Sequence, residues 1–137
     1  MAKNILIVDD EPKVGYFLKE SVESLGPDYA VSHVRSAEDA LTALARTPYD
    51  LVVTDLRMPG LTGLDLIGRV RHEQPFLPAI LITAYGSDEV AAAARRLQTT
   101  HYFTKPFRIE EFLQAVQDSL EQPAQSLARR LERVTQR

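Results

Sequence analysis

Apolar residues in this chain follow two alternating rhythms. Short runs dense in apolar, often β-branched, residues are Ile5-Leu6-Ile7-Val8, Tyr29-Ala30-Val31-Ser32-His33-Val34, the run from about Asp50 to Asp55, Ala79-Ile80-Leu81-Ile82-Thr83 and His101-Tyr102-Phe103-Thr104. Runs of this length predict buried strands. Between them, apolar residues recur at three- and four-residue spacing, which predicts helices with one buried face. Val14, Phe17, Leu18, Val22 and Leu25 mark the first helix, with Pro12 suited to its first turn and Gly26-Pro27 stopping it. Ser36 suits the N-cap of the second, with Asp39 at the reciprocal position of a capping box and Ala37, Ala40, Leu41 and Leu44 facing inward. The third runs from about Leu64 to His72, the fourth from Asp88 to Leu97 and the fifth from Ile109 to Leu120. The fourth is rich in Ala and thin in large apolar side chains, so it is expected to pack lightly and to be among the more mobile elements.

Five strands alternating with five helices predict an α/β fold, with a parallel sheet covered on both sides and right-handed crossovers. The 137 residues suffice for one domain, expected over residues 1–122, with a tail or linker over 123–137. In that tail Leu127, Leu131 and Val134 recur at helical spacing among Arg129, Arg130, Arg133 and Arg137. A short amphipathic helix and a solvated tail both fit. The net charge of −3 gives no global basic field for nucleic acid, and no apolar segment reaches membrane length. The absence of cysteine excludes disulfides, thiol catalysis and Cys-ligated zinc. With no signal peptide in view, a cytoplasmic protein is expected.

The chemistry gathers at the strand ends. The first strand ends in Asp9-Asp10-Glu11, the third in Asp55, the fourth in Thr83, and the fifth leads into Lys105. In an open parallel sheet the carboxyl edge is where ligands bind. Taken singly, each residue has an ordinary explanation: a loop-capping Asp, a solvated acidic turn, a structural Thr, a surface Lys. Together they place three carboxylates, a hydroxyl and an ammonium group on one edge. Three crowded carboxylates repel one another unless a cation sits among them, and Mg²⁺ suits an all-oxygen set. Such a site is built to receive a phosphoryl group, with Asp55 as nucleophile, Lys105 as a point charge and Thr83 as a hydrogen-bond donor.

The motifs Val8-Asp9-Asp10-Glu11-Pro12, Asp55-Leu56-Arg57-Met58-Pro59-Gly60, Ile82-Thr83-Ala84 and Lys105-Pro106-Phe107 resemble those of response-regulator receiver domains of two-component signalling, from Asn4 to Leu120. The resemblance implies a flavodoxin-like (βα)5 fold with strand order 2-1-3-4-5. It implies that Asp55 is the phosphoacceptor, that Asp10, Asp55 and the backbone carbonyl of Arg57 are direct Mg²⁺ ligands, and that Asp9 acts largely through water. Thr83 and Lys105 would bind the phosphoryl group, and the Lys105-Pro106 bond would be cis. Tyr102 resembles the switch aromatic. It would turn inward when Thr83 moves toward the new phosphoryl oxygens, reshaping the face of the fourth helix, fifth strand and fifth helix. Three positions depart from the family pattern. Gln98-Thr99 stand where Gly-Ala is frequent, which removes the usual left-handed glycine, and His101 stands where Asp is frequent. Arg57 and Tyr85, two residues past Asp55 and Thr83, are bulky and are expected to obstruct the attacking water and prolong the phosphoryl group's life.

The leading expectation is a regulatory switch rather than a dedicated enzyme, phosphorylated by a sensor histidine kinase, a phosphotransfer protein or a small phosphoramidate. A phosphatase of the haloacid-dehalogenase kind would need a second acid two residues after Asp55, where Arg57 stands. A degenerate receiver acting only as a binding module would have lost some of Asp10, Asp55, Thr83 and Lys105, and all four are present. The output domain or target is not written in the sequence. Neither direct nucleic-acid binding nor membrane contact is expected of this domain. A homodimer through the fourth helix, fifth strand and fifth helix, or through an extended last helix and tail, is compatible with it. The basic tail inclines the reading toward a fragment of a longer regulator over a stand-alone receiver.

Overall fold

Each predicted strand and helix is present in the structure, a computed structural model that describes residues 2–121. The order is β1 (Lys3–Val8), α1 (Pro12–Glu23), β2 (Tyr29–Val34), α2 (Ala37–Arg46), β3 (Leu51–Asp55), α3 (Gly63–Glu73), β4 (Ala79–Thr83), α4 (Asp88–Arg96), β5 (His101–Thr104) and α5 (Ile109–Leu120). All strand pairs are parallel and the order across the sheet is β2-β1-β3-β4-β5. The expectations for the tail beyond Pro123 lie outside the described residues. No described helix is long and apolar enough to cross a membrane.

The three central strands β1, β3 and β4 read as nearly continuous apolar runs because both faces of the sheet are covered there. Leu6, Val8, Val52 and Leu81 point into one core with Ala40, Leu66, Ile67 and Ala94 of α2, α3 and α4. Ile5, Ile7, Leu51, Val53, Ile80 and Ile82 point into the other with Leu18 and Val22 of α1 and Phe112 and Val116 of α5. The period-2 alternation of side chains therefore sorts each strand between two cores. Phe107 packs on Phe103 and Phe112, with ring centroids 5.5 and 5.9 Å away. This apolar anchor fixes the segment just after Lys105.

Local departures have physical causes. Phe17, expected on the buried face of α1, is 55% exposed, because the inward stripe runs through Gly15, Leu18 and Val22 and leaves Phe17 a quarter-turn away. The cap of α2 is one-sided: Ser36 Oγ accepts from the Asp39 amide at 3.0 Å, without the return bond. The full box forms instead at α3, where Thr62 Oγ1 accepts from the Asp65 amide and Asp65 Oδ2 accepts from the Thr62 amide. The backbone explains the contrast, since φ is −149° at Ser36 and −82° at Thr62, and this torsion aims the cap's own N–H.

The end of α4 keeps its left-handed turn without glycine. Gln98 adopts φ 56°, its amide donates to the Arg95 carbonyl, and the Thr99 amide donates to the Ala94 carbonyl, both at 3.0 Å. This is a Schellman closure. As its composition suggested, α4 packs lightly, with Ala94 its one buried residue.

Candidate functional site

Sheet register assembles the site. Val8 pairs with both Val34 and Thr54, Asp55 with Ile82, and Thr83 with Thr104. Asp9, Asp55, Thr83 and Lys105 therefore emerge side by side at the carboxyl edge. One carboxylate oxygen from each of Asp9, Asp10 and Asp55 lies within 4.8 Å of the other two. Lys105 Nζ lies 3.5 Å from Asp55 Oδ2, while Asp55 Oδ1 accepts from the Leu56 amide at 2.7 Å.

Asp9 is buried, and its carboxyl pKa is raised from 3.8 to about 6. Burial is the largest cause. The charges of Asp55 and Asp10 push the same way, while a hydrogen bond from the Glu11 amide and the charge of Lys105 oppose the rise. A buried acid beside two more acids is a place for a cation. The donors are hard oxygens, and their 4.8 Å span is close to the width of one octahedral Mg²⁺ shell, about 4 Å across. Asp9, Asp10 and Asp55 thus fit such an ion.

Thr83 is fully buried, and its Oγ1 accepts from the Tyr85 amide at 2.9 Å. The hydroxyl is engaged with the β4–α4 loop. Tyr102 is half-buried and packs against the core under α4. Its hydroxyl lies 2.7 Å from where a Cβ of residue 86 would stand, so Gly86 supplies the room it occupies. The Lys105-Pro106 peptide is cis, as the family resemblance implies. The Arg57 guanidinium stacks 4.2 Å from the Tyr85 ring centroid and joins the two loops that follow Asp55 and Thr83. Arg57 is exposed, and its carbonyl belongs to the loop closed by the Gly63 amide donating to Leu56 at 2.8 Å.

Sequence reasoning missed the residues that support these groups. At Gly63 a Cβ would sit 2.1 Å from the Asp55 carbonyl oxygen, so only glycine lets α3 start against the Asp55 backbone. Glu38 reaches from α2 to accept from the Leu61 amide at 3.3 Å, beside Gly60 at φ 84°. Nothing in the local sequence points to these contacts, because they cross more than twenty residues of chain or depend on the fold.

Known proteins share this arrangement. The family model for the response regulator receiver domain matches residues 5–117. The response regulator protein FleR of Pseudomonas aeruginosa is 37% identical over 116 residues, covering 85% of this chain and 24% of FleR. An uncharacterized 14.6 kDa protein of Leptolyngbya boryana is 39% identical, covering 83% of this chain and 87% of that protein. Among solved structures, the response regulator TrrA of Thermotoga maritima, in complex with Mg²⁺-BeF, superposes with a TM-score of 0.78 at 33% identity, covering 86% of this chain and 99% of that one. The chain spans about a quarter of the length of FleR and of the transcriptional regulatory protein GlrR of Escherichia coli. With its parallel sheet in the order β2-β1-β3-β4-β5 and its acidic carboxyl edge, the chain belongs to the receiver-domain family of two-component response regulators.

Proposed function

We propose that this domain is a phosphorylation-dependent switch in which Asp55 accepts a phosphoryl group from the phosphohistidine of a sensor kinase or phosphotransfer protein. The observation that carries the reading is the convergence of Asp9, Asp10 and Asp55 within 4.8 Å, with Lys105 Nζ 3.5 Å from Asp55. An Asp55 carboxylate oxygen attacks phosphorus, the P–N bond breaks, and its electron pair leaves with the imidazole nitrogen. Water later attacks phosphorus and returns the carboxylate and inorganic phosphate. Asp10, Asp55 and the Arg57 carbonyl would hold Mg²⁺ directly and Asp9 largely through water; the ion supplies positive charge to the transferring oxygens. Lys105 leaves its contact with Asp55 to meet one new oxygen. Thr83 gives a hydrogen bond to another, and Tyr102 follows it inward.

The consequence is a shift between two packings of the α4–β5–α5 face, driven only by contacts that differ between them. The role is regulatory rather than that of a dedicated enzyme, and the setting is cytoplasmic. The relatives with transcriptional names support an output module or target; in this reading it is controlled through that face, and the receiver itself touches neither nucleic acid nor membrane. Homodimerisation through α4–β5–α5, or through an extended α5 and tail, is a further element of this reading.

The test is intact mass after incubation with Mg²⁺ and acetyl phosphate or phosphoramidate. One added phosphoryl group is expected on the wild type, lost with chelator and absent in Asp55→Ala. No gain from either donor would overturn the proposal.

A further inference from the structure

The β1–α1 loop carries Asp9 and Asp10, and the edge strand β2 grips it. The Asp9 amide donates to the Val34 carbonyl at 3.1 Å. His33 Nε2 lies 2.9 Å from the Asp9 carbonyl oxygen. A carbonyl only accepts, so Nε2 carries the proton and donates. The Asp9 carboxylate in turn accepts from the Glu11 amide at 2.8 Å. Asp9 is thus fixed at its N–H, its C=O and its side chain. One residue further on, Arg35 Nη2 approaches the Asp10 carbonyl oxygen at 3.4 Å.

The space for His33 is made on α1. A Cβ at Gly15 would stand 2.1 Å from His33 Nε2 and 2.2 Å from Cε1. Gly15 is buried, has ordinary helical backbone and lies in the interior of a twelve-residue helix, where glycine costs about 1 kcal/mol relative to alanine. The helix therefore carries a weak helix former at the one point where the imidazole lies against it. The peptide plane whose carbonyl His33 holds is the one joining Asp9 to Asp10. Fixing that plane limits how the two carboxylates can diverge under their mutual repulsion.

We infer that His33, seated over Gly15, is a positioning residue that preorganises Asp9 and Asp10 to receive the divalent cation. The inference rests on the reading of Asp9, Asp10 and Asp55 as Mg²⁺ ligands. Loss of an outer partner of this kind costs metal affinity by about tenfold.

The test is calorimetric titration of Mg²⁺ into the full chain, comparing wild type, His33→Leu and His33→Gln, with melting curves in chelator to verify folding. Leu fills similar space without a donor, whereas Gln places an amide N–H near the position of Nε2. The expected result is binding about tenfold weaker in His33→Leu and restored toward wild type in His33→Gln. Gly15→Ala, which evicts the ring while leaving His33 in the sequence, should match His33→Leu. Equal affinity in wild type and His33→Leu would overturn the inference while leaving the metal site intact. Equal weakening in Leu and Gln would also overturn it, since packing rather than the hydrogen bond would then matter. No Mg²⁺ binding by the wild type would overturn the metal site itself.

Discussion

Asp9 sets burial against charge more sharply than its neighbours. Burial pushes its carboxyl pKa up from 3.8 to about 6. Because the folded value is the higher one, the associated stability is fully present below about pH 4 and is lost as pH rises through about 6. The loss is on the order of 2–3 kcal/mol in the metal-free protein. In chelator, Asp9→Asn should therefore be more stable than wild type at pH 7.5, and the gap should close by about pH 4; urea denaturation at a series of pH values measures this, and a gap independent of pH counts against it. The Arg57–Tyr85 pair lies at the opposite extreme, exposed and held by a contact worth about 0.5–1 kcal/mol. In the proposed function the pair would shield the site only while stacked, so Arg57→Asn and Tyr85→Ala should each shorten the phosphoryl lifetime at Asp55, read by mass after donor removal. Unchanged lifetimes in both would dismiss the shield. The acids, Thr83 and Lys105 were legible in the sequence because chemistry-bearing types interrupt apolar runs. His33 was not, since it stands inside such a run and its partners are Gly15 and a backbone carbonyl.

At the scale of elements, α4 is the weakest built. Its nine residues bury Ala94 alone, and its C-terminus turns through a left-handed glutamine. A non-glycine residue there costs about 1 kcal/mol. Gln98→Gly should accordingly raise stability by about 0.5–1 kcal/mol, read as a higher urea midpoint with unchanged slope; a lower midpoint would mean that the glutamine side chain contributes more than its backbone costs. Element type and order were legible because runs and helical stripes alternate so cleanly. The Schellman turn at Gln98 was not, because it is enforced from outside the local sequence. Arg71 on α3 donates through Nε to the Leu97 carbonyl at 2.7 Å and through Nη1 to the Pro75 carbonyl at 3.3 Å. It ties the end of α4 to the α3–β4 loop, a tie that no periodicity announces.

Across the whole molecule, the two cores lock five strands into one register, and that register crowds the carboxylates. The fold thus carries a built-in repulsion that a cation relieves. A ligand at a hundred times its dissociation constant adds about 2.7 kcal/mol. For a domain of this size, melting should rise by roughly 5–10 °C in saturating Mg²⁺ at pH 7.5 and return in chelator; no shift in Mg²⁺ would count against the metal site. The same register leaves α4 between two different boundaries. At one end Arg71 pins the Leu97 carbonyl; at the other, Ser87 caps the helix beside Gly86, where the Tyr102 hydroxyl lodges. A nine-residue helix is about 13 Å long, so in the proposed switch it would act as a lever with its fulcrum at Arg71: a tilt of about 10° would sweep the Ser87 end through about 2 Å while Leu97 stays in place.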